Sequence, residues 1–218
     1  MTQNNCVVLQ GLILSIHFSH ETHGEKFRLI ELSIERKSGV ADVLNIIASE
    51  WLQGSDVKEG EYIKVKGEFR SRNVHTPERS RLELSVFATE ITKFDSEFDY
   101  LFDRESENRI GLDGYICKPP VLRKTPYGRV IADVLLAVNR TNGRSSYIPC
   151  VMWGRTAVYV SSFPVGSRLK LTGRIQSRKY NKKLTEEHTE IRTAYEVSVN
   201  ELQIIAEDTE ERRLNRHE

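Results

Sequence analysis

The chain has 218 residues, 39% of them hydrophobic, with 13 Gly, 6 Pro and a formal net charge of +1. That is enough apolar material for one large core or two small ones, and it excludes a disordered or collagen-like polypeptide. The opening MTQNNCVVLQ lacks the basic region and apolar core of a secretory signal, and no run approaches the roughly 20 apolar residues of a membrane span, so a soluble, cytoplasmic protein is expected. Cys6, Cys117 and Cys150 are odd in number and far apart, which points to reduced cysteines rather than a disulfide framework or a zinc site.

Taken in order, CVVLQGLILSI (6–16) reads as a first strand, His23-Gly24 as a hairpin turn, and the segments on either side of Arg36 as a second and third strand. ASEWLQGSDV (48–57) is predicted to be a short helix, with Trp51 in it as a core residue. KEGEYIKVKGEFRSR (58–72) places Ile63, Val65 and Phe69 in strand alternation, and LELSV (82–86) reads as a fifth strand. FDSEFDYLFDRESEN (94–108) is acidic, and its aromatic residues at near-helical spacing predict that it docks on a folded unit.

The order then repeats. VVLQGLILSI (7–16) matches IGLDGYICKP (110–119), HGEKFRLIELSIER (23–36) matches YGRVIADVLLAVNR (127–140), and KEGEYIKVKGEFRSR matches PVGSRLKLTGRIQSR (164–178). LELSV matches YEVSV (195–199), and GRTAVYVSSF (154–163) is the second helix candidate. Gly11 thus pairs with Gly114, Gly67 with Gly173 and Arg36 with Arg140. The chain is a tandem duplication with a period of a little over a hundred residues. Charge separates its parts: residues 1–107 carry −6, residues 108–183 carry +13 and residues 184–218 carry −6. A basic middle of this kind points to a polyanionic partner.

The stretch 139–180 is the chemical centre, because it interleaves cations with Tyr147, Trp153 and Tyr180 and contains no Asp or Glu. A single strand of nucleic acid offers π-faces for aromatic rings and phosphates for cations, and carboxylates would repel it. In YIPCVMW, Tyr147, Pro149, Val151 and Trp153 fall on one face of a strand, and Ile148, Cys150 and Met152 on the other. In the following strand Leu169, Leu171 and Ile175 alternate with Lys170, Arg174 and Arg178, and Gly173 shifts the register as a bulge would.

LAVNR (136–140), PCVMWGRTA (149–157) and VGSRLKLTGRIQSRKY (165–180) resemble the core of the bacterial single-stranded DNA-binding protein family. With GLDGYI (111–116) as an opening strand and YEVSV as a closing one, the resemblance spans about Asn108 to Ile205. It implies an all-β fold of two tandem OB-fold five-stranded barrels with short helical connections. The expected divisions are a degenerate, acidic first domain (1–93), an acidic aromatic linker (94–107), a basic DNA-binding second domain (108–207) and a charged tail (208–218). The family's stacking positions fall on Tyr147, Trp153 and Tyr180, and the phosphate contacts are expected at Arg140, Arg174, Arg178, Lys179, Lys182 and Lys183, with Arg123 and Lys124, in the turn KPPVLRKTPYGR (118–129), as a second pair. In the first copy the matching aromatic positions are Val43 and Ser49, so that barrel is expected to serve mainly assembly or partner contacts, with residual strand contact left open by the persisting Arg36, Arg70 and Arg72.

The resemblance further implies a homodimer carrying four barrels, with CVVLQGLILSI as the candidate interface, a nucleoid-associated location, and partners among replication or repair proteins. The family's acidic, aromatic-tipped terminus has no counterpart in AEDTEERRLNRHE. An RNA-binding OB protein and a primosome-like accessory or interaction protein are the alternative readings. His17, His20 and His23 alternate across a strand and hairpin with no further ligand nearby, so loop histidines rather than a metal site are expected. No nucleophile with a base, carboxylate pair or phosphate-cradling glycine loop occurs, so neither an enzyme nor a cofactor is expected.

Overall fold

The computed structural model describes residues 4–36, 38–76, 79–102, 108–183 and 189–205. Five strands form the first unit: β1 (Asn5–Thr22), β2 (Glu25–Glu35), β3 (Ala41–Ser49), β4 (Tyr62–Thr76) and β5 (Arg79–Lys93). β1 pairs with both β2 and β4, β2 with β3, and β4 with β5, all antiparallel, while β3 joins β5 in parallel, so the sheet closes on itself. Closure removes the exposed strand edges that a small open sheet would carry. The second unit repeats this with β6 (Asn108–Ile116), β8 (Val130–Asn139), β9 (Ser145–Trp153), β10 (Arg168–Lys183) and β11 (Thr189–Ile205), plus a short β7 (Val121–Lys124) on β8. The pairings β6–β8, β8–β9, β9–β11, β11–β10 and β10–β6 close the second barrel in the same order.

The duplication read from the sequence is repeated in atomic detail. The Asn5 side chain donates to the Phe69 carbonyl and accepts from the Phe69 amide, at 2.7 and 2.9 Å. Asn108 makes the same two bonds with Ile175, at 2.7 and 2.8 Å. Register shifts fall at Gly67 in β4 and at Gly173 in β10, where a methyl group would collide with the carbonyl oxygens of Phe87 and Ser198 respectively. Only a residue without a side chain lets the crossing strand approach there.

The two barrels join edge to edge. β1 runs antiparallel to β6, with Asn5 opposite Leu112, Val7 opposite Ile110 and Leu9 opposite Asn108. Each pair relates a residue to the equivalent of its partner, so the seam has a local two-fold axis between Val7 and Ile110, as two identical subunits would have. The CVVLQ half of β1, expected to mediate association between chains, is therefore occupied within the chain. Flanking side chains follow the same symmetry. Arg36 donates to the Ser177 carbonyl and Arg140 to the Ser71 carbonyl, at 3.3 and 2.6 Å. Ser177 Oγ accepts from the Val43 amide and Ser71 Oγ from the Tyr147 amide, at 3.1 and 2.7 Å.

Three local expectations are corrected. Residues 48–57 form no helix: β3 continues to Ser49, Ser49 Oγ accepts from the Trp51 amide, and a turn follows in which Gly54 has φ 82°. A backbone of that kind cannot propagate a helix. Trp51 is accordingly on the surface, 71% exposed, rather than in the core. In the second copy, the segment read as one turn (118–129) contains β7, because Pro119 and Pro120 break the long first strand of the repeat into two pieces. The acidic linker docks as expected: α1 (Glu97–Phe102) places Tyr100 against Tyr62 with ring centroids 4.3 Å apart.

Candidate nucleic-acid interface

β9 sorts its side chains largely as strand alternation requires. Ile148, Cys150 and Met152 are buried in the second barrel, whereas Tyr147 and Trp153 face outward at 41% and 39% exposure. Val151, expected on the outer face, is also buried. Burial pushes the Cys150 thiol up, away from reactivity. Six residues along one strand separate the two exposed rings by about 20 Å. Trp153 precedes α2 (Gly154–Ser161), and a groove of about 850 Å³ beside it is lined by Arg129, Val130, Arg155, Val158 and Tyr159.

Tyr180 does not join that groove. It is 36% exposed near the tip of the β10–β11 hairpin and lines a second groove, of about 710 Å³, between the two barrels. Arg70, Arg72, Arg81, Arg140 and Arg192 line the same groove, as does Ser71, the residue that holds the Tyr147 amide. Tyr147 meets that groove through its backbone amide, which Ser71 holds. The three aromatic residues therefore do not share one pocket.

The cations divide into two sets. Arg178 and Lys179 are exposed on β10, with the Arg178 guanidinium 5.9 Å from the Tyr180 ring. Lys124 is exposed on β7, and Arg123 next to it forms a two-point pair with Asp133, at 2.5 and 3.1 Å. The side chains of Lys182 and Lys183 lie outside the described residues. Arg140 and Arg174, by contrast, belong to the seam. Arg140 donates to Ser146 Oγ at 2.7 Å as well as to Ser71, and burial, with Arg70 nearby, lowers its pKa from the ordinary value. Arg174 reaches the buried Asp42 at 3.5 Å and Gln176 at 3.1 Å, and burial, with Arg36 nearby, lowers it likewise.

Sequence reasoning passes over Arg81 and Arg192 in the inter-barrel groove, and Arg129, Arg155 and Tyr159 around Trp153. Several of the first barrel's outward cations are held by its own carboxylates. Glu83 accepts from Arg72 at 2.9 Å and from Arg81, and although burial pushes its carboxyl up, these bonds outweigh that and hold it below the usual range. Arg70 lies over the Phe87 ring at 3.9 Å. Among the described residues no group of three or more His, Cys, Asp or Glu is placed to hold a metal, and His20 stacks on Phe27 with centroids 4.7 Å apart. Among the same residues no helix is long and apolar enough to cross a membrane.

The model of the single-strand binding protein family matches residues 107–205. Single-stranded DNA-binding protein B of Bacillus subtilis is 38% identical over 80 residues, which cover 34% of this chain and 71% of that protein. The chain belongs to the single-strand binding protein family. Single-stranded DNA-binding protein 2 of Listeria monocytogenes is 42% identical over 80 residues, covering 34% of this chain and 50% of that protein. Single-stranded DNA-binding protein A of Bacillus subtilis has the same identity, with 46% of its length covered. The chain thus spans about half the length of these two curated members of the family. The crystal structure of the wild-type single-stranded DNA binding protein from Thermus aquaticus covers 93% of each chain with a TM-score of 0.71 at 21% identity, so the fold is shared across both barrels. Tandem OB barrels are therefore the architecture of this family member.

Proposed function

We propose that the chain is a non-enzymatic binder of single-stranded DNA with little sequence preference, which protects strands exposed in replication, recombination or repair. The observation that carries this reading is the pair of outward rings, Tyr147 and Trp153, on one strand of a barrel whose segment 108–183 holds 15 cations against two carboxylates. Every base has a π-face, so such rings take any sequence, and a site of roughly 4–16 nucleotides per barrel follows from the OB class. The second domain (108–207) carries the stacking residues, with Arg178, Lys179 and Lys124 as its exposed phosphate contacts. Arg123 contributes once phosphate competes with Asp133, while Arg140 and Arg174 fix the barrels to one another.

The test is quenching of tryptophan fluorescence by a dT oligomer, in a Trp51→Phe background because Trp51 is the more exposed indole. Quenching that weakens with salt and is not produced by duplex DNA is the expected result. A signal unchanged by the DNA strand overturns the proposal, and equal or stronger quenching by RNA of the same length would reassign the ligand.

The barrel pair behaves as half of a four-barrel assembly in this reading, with two chains forming a homodimer. Because the β1 edge is already paired with β6, the contact between chains uses another surface. Light scattering should report the mass of two chains, and the mass of one would refute it.

A further inference from the structure

The seam that joins the barrels is symmetric in its strands and asymmetric in its charges. Counting from Gly67 and Gly173, Glu68 corresponds to Arg174, Arg70 to Gln176 and Ser71 to Ser177, and counting from Arg36 and Arg140, Asp42 corresponds to Ser146. The β1–β6 ladder and the serine contacts are alike on both sides of the axis, so they would serve a pair of first barrels or a pair of second barrels equally well. We infer that the charged residues beside the ladder make the seam selective: a first barrel accepts the edge of a second barrel, its own or that of another copy of this chain, and rejects the edge of another first barrel.

The choice rests on which charge each barrel supplies. At one end of the seam the first barrel contributes Asp42 and Arg36 and the second contributes Arg174, and the buried Asp42 carboxylate receives both guanidiniums. At the other end the second barrel contributes Arg140, bonded to Ser146 Oγ, and the first contributes Glu68, which accepts from Arg70 at 2.9 Å. The Glu68 charge favours the protonated Arg140 there, opposing burial and Arg70. A seam of two first barrels would set Glu68 where Arg174 now is, so at both ends Asp42 would exchange a cation for a carboxylate. A seam of two second barrels would set Arg174 where Glu68 now is, opposite Arg140, with the uncharged Ser146 and Gln176 beside them. Like charges set against each other at a contact sheltered from water refuse one partner while another is accepted. Only the unlike pair gives Asp42 its two guanidiniums and keeps Arg140 and Arg174 apart.

Two double-mutant cycles on the full chain, read by urea denaturation, test the inference. Arg174→Glu gives one end of the seam the charges of a pair of first barrels, and Glu68→Arg gives the other end those of a pair of second barrels. Arg174→Glu is expected to lower the folding equilibrium constant by roughly a hundredfold, because it sets a carboxylate against the fully buried Asp42. Glu68→Arg is expected to lower it by roughly fivefold, because that end is partly open to water. Adding Asp42→Ser to the first variant, and Ser146→Asp to the second, gives each end the charge pattern that the opposite end now shows. Each addition should recover most of the loss, although each added substitution alone weakens folding. Recovery in both cycles, including a double variant that folds where its single variant does not, is the expected result. Losses that simply add in either cycle, or a double variant that fails to fold, would overturn the inference. Neither readout involves nucleic acid, so the outcome is independent of the binding reading above.

Discussion

Replacing Tyr147 and Trp153 together by alanine should weaken binding to a dT oligomer by at least about thirtyfold, since each stacked base contributes roughly 1–3 kcal/mol and two platforms are removed. The fold should not register the change. Both rings point away from the barrel interior, which Ile148, Cys150 and Met152 fill from the opposite face of the same strand. The hydrogen bond that ties Tyr147 to the first barrel comes from its backbone amide and survives the substitution. The melting temperature should thus stay close to that of the parent while the titration midpoint moves. Unchanged affinity would mean that the aromatic face of β9 is not where bases stack, and a large fall in melting temperature would mean that the rings serve the fold.

Removing the Asp42 carboxylate should have the largest effect on stability. Asp42 is fully buried, and its carboxylate accepts two bonds from Arg36, at 2.7 and 2.5 Å, one from the Ser177 amide at 2.6 Å and one from Ser177 Oγ at 3.3 Å, with Arg174 at 3.5 Å. Asp42→Ala would leave two guanidiniums facing each other without a counter-ion at the seam, a situation that costs about 3–5 kcal/mol when the charges are fully enclosed. Both arginines keep some exposure to water, so a loss near the lower end, about 3 kcal/mol, is expected. Urea denaturation measures it. A loss below about 1 kcal/mol would show that the Asp42 cluster contributes no more to the seam than one ordinary hydrogen bond.

Much of this architecture is legible in the sequence because a strand announces itself by alternation and a duplication by its glycines. Gly67 and Gly173 align on paper for the same reason that they sit at equivalent bulges, namely the carbonyl that each must admit. The outward placement of Tyr147 and Trp153 follows from counting by twos. What the sequence conceals is what meets across the seam. Arg140 and Arg174 carry the same charge as Arg178 and Lys179, and nothing in their local pattern says that Ser71 and Asp42, 69 and 132 residues away, will receive them. Hydrophobicity alone assigns Trp51 inward, but the bond from its amide to Ser49 and the left-handed Gly54 turn the chain out to solvent. The resemblance groups Tyr180 with the other two rings, and only the long β10–β11 hairpin carries it across to face the first barrel.

Pairing β1 with β6 inside one polypeptide has an evolutionary consequence. Two identical subunits meeting on a two-fold axis must present the same residue to both sides, so every change at the contact is made twice and must suit itself. Here the halves are encoded separately. The position that holds Asp42 beside Arg36 holds Ser146 beside Arg140 in the other half, an arrangement closed to a contact between identical copies. Tethering also keeps the halves together at any dilution, since their encounter is intramolecular. One half is free to keep its aromatic rings while the other changes its surface, without dissolving the seam that joins them.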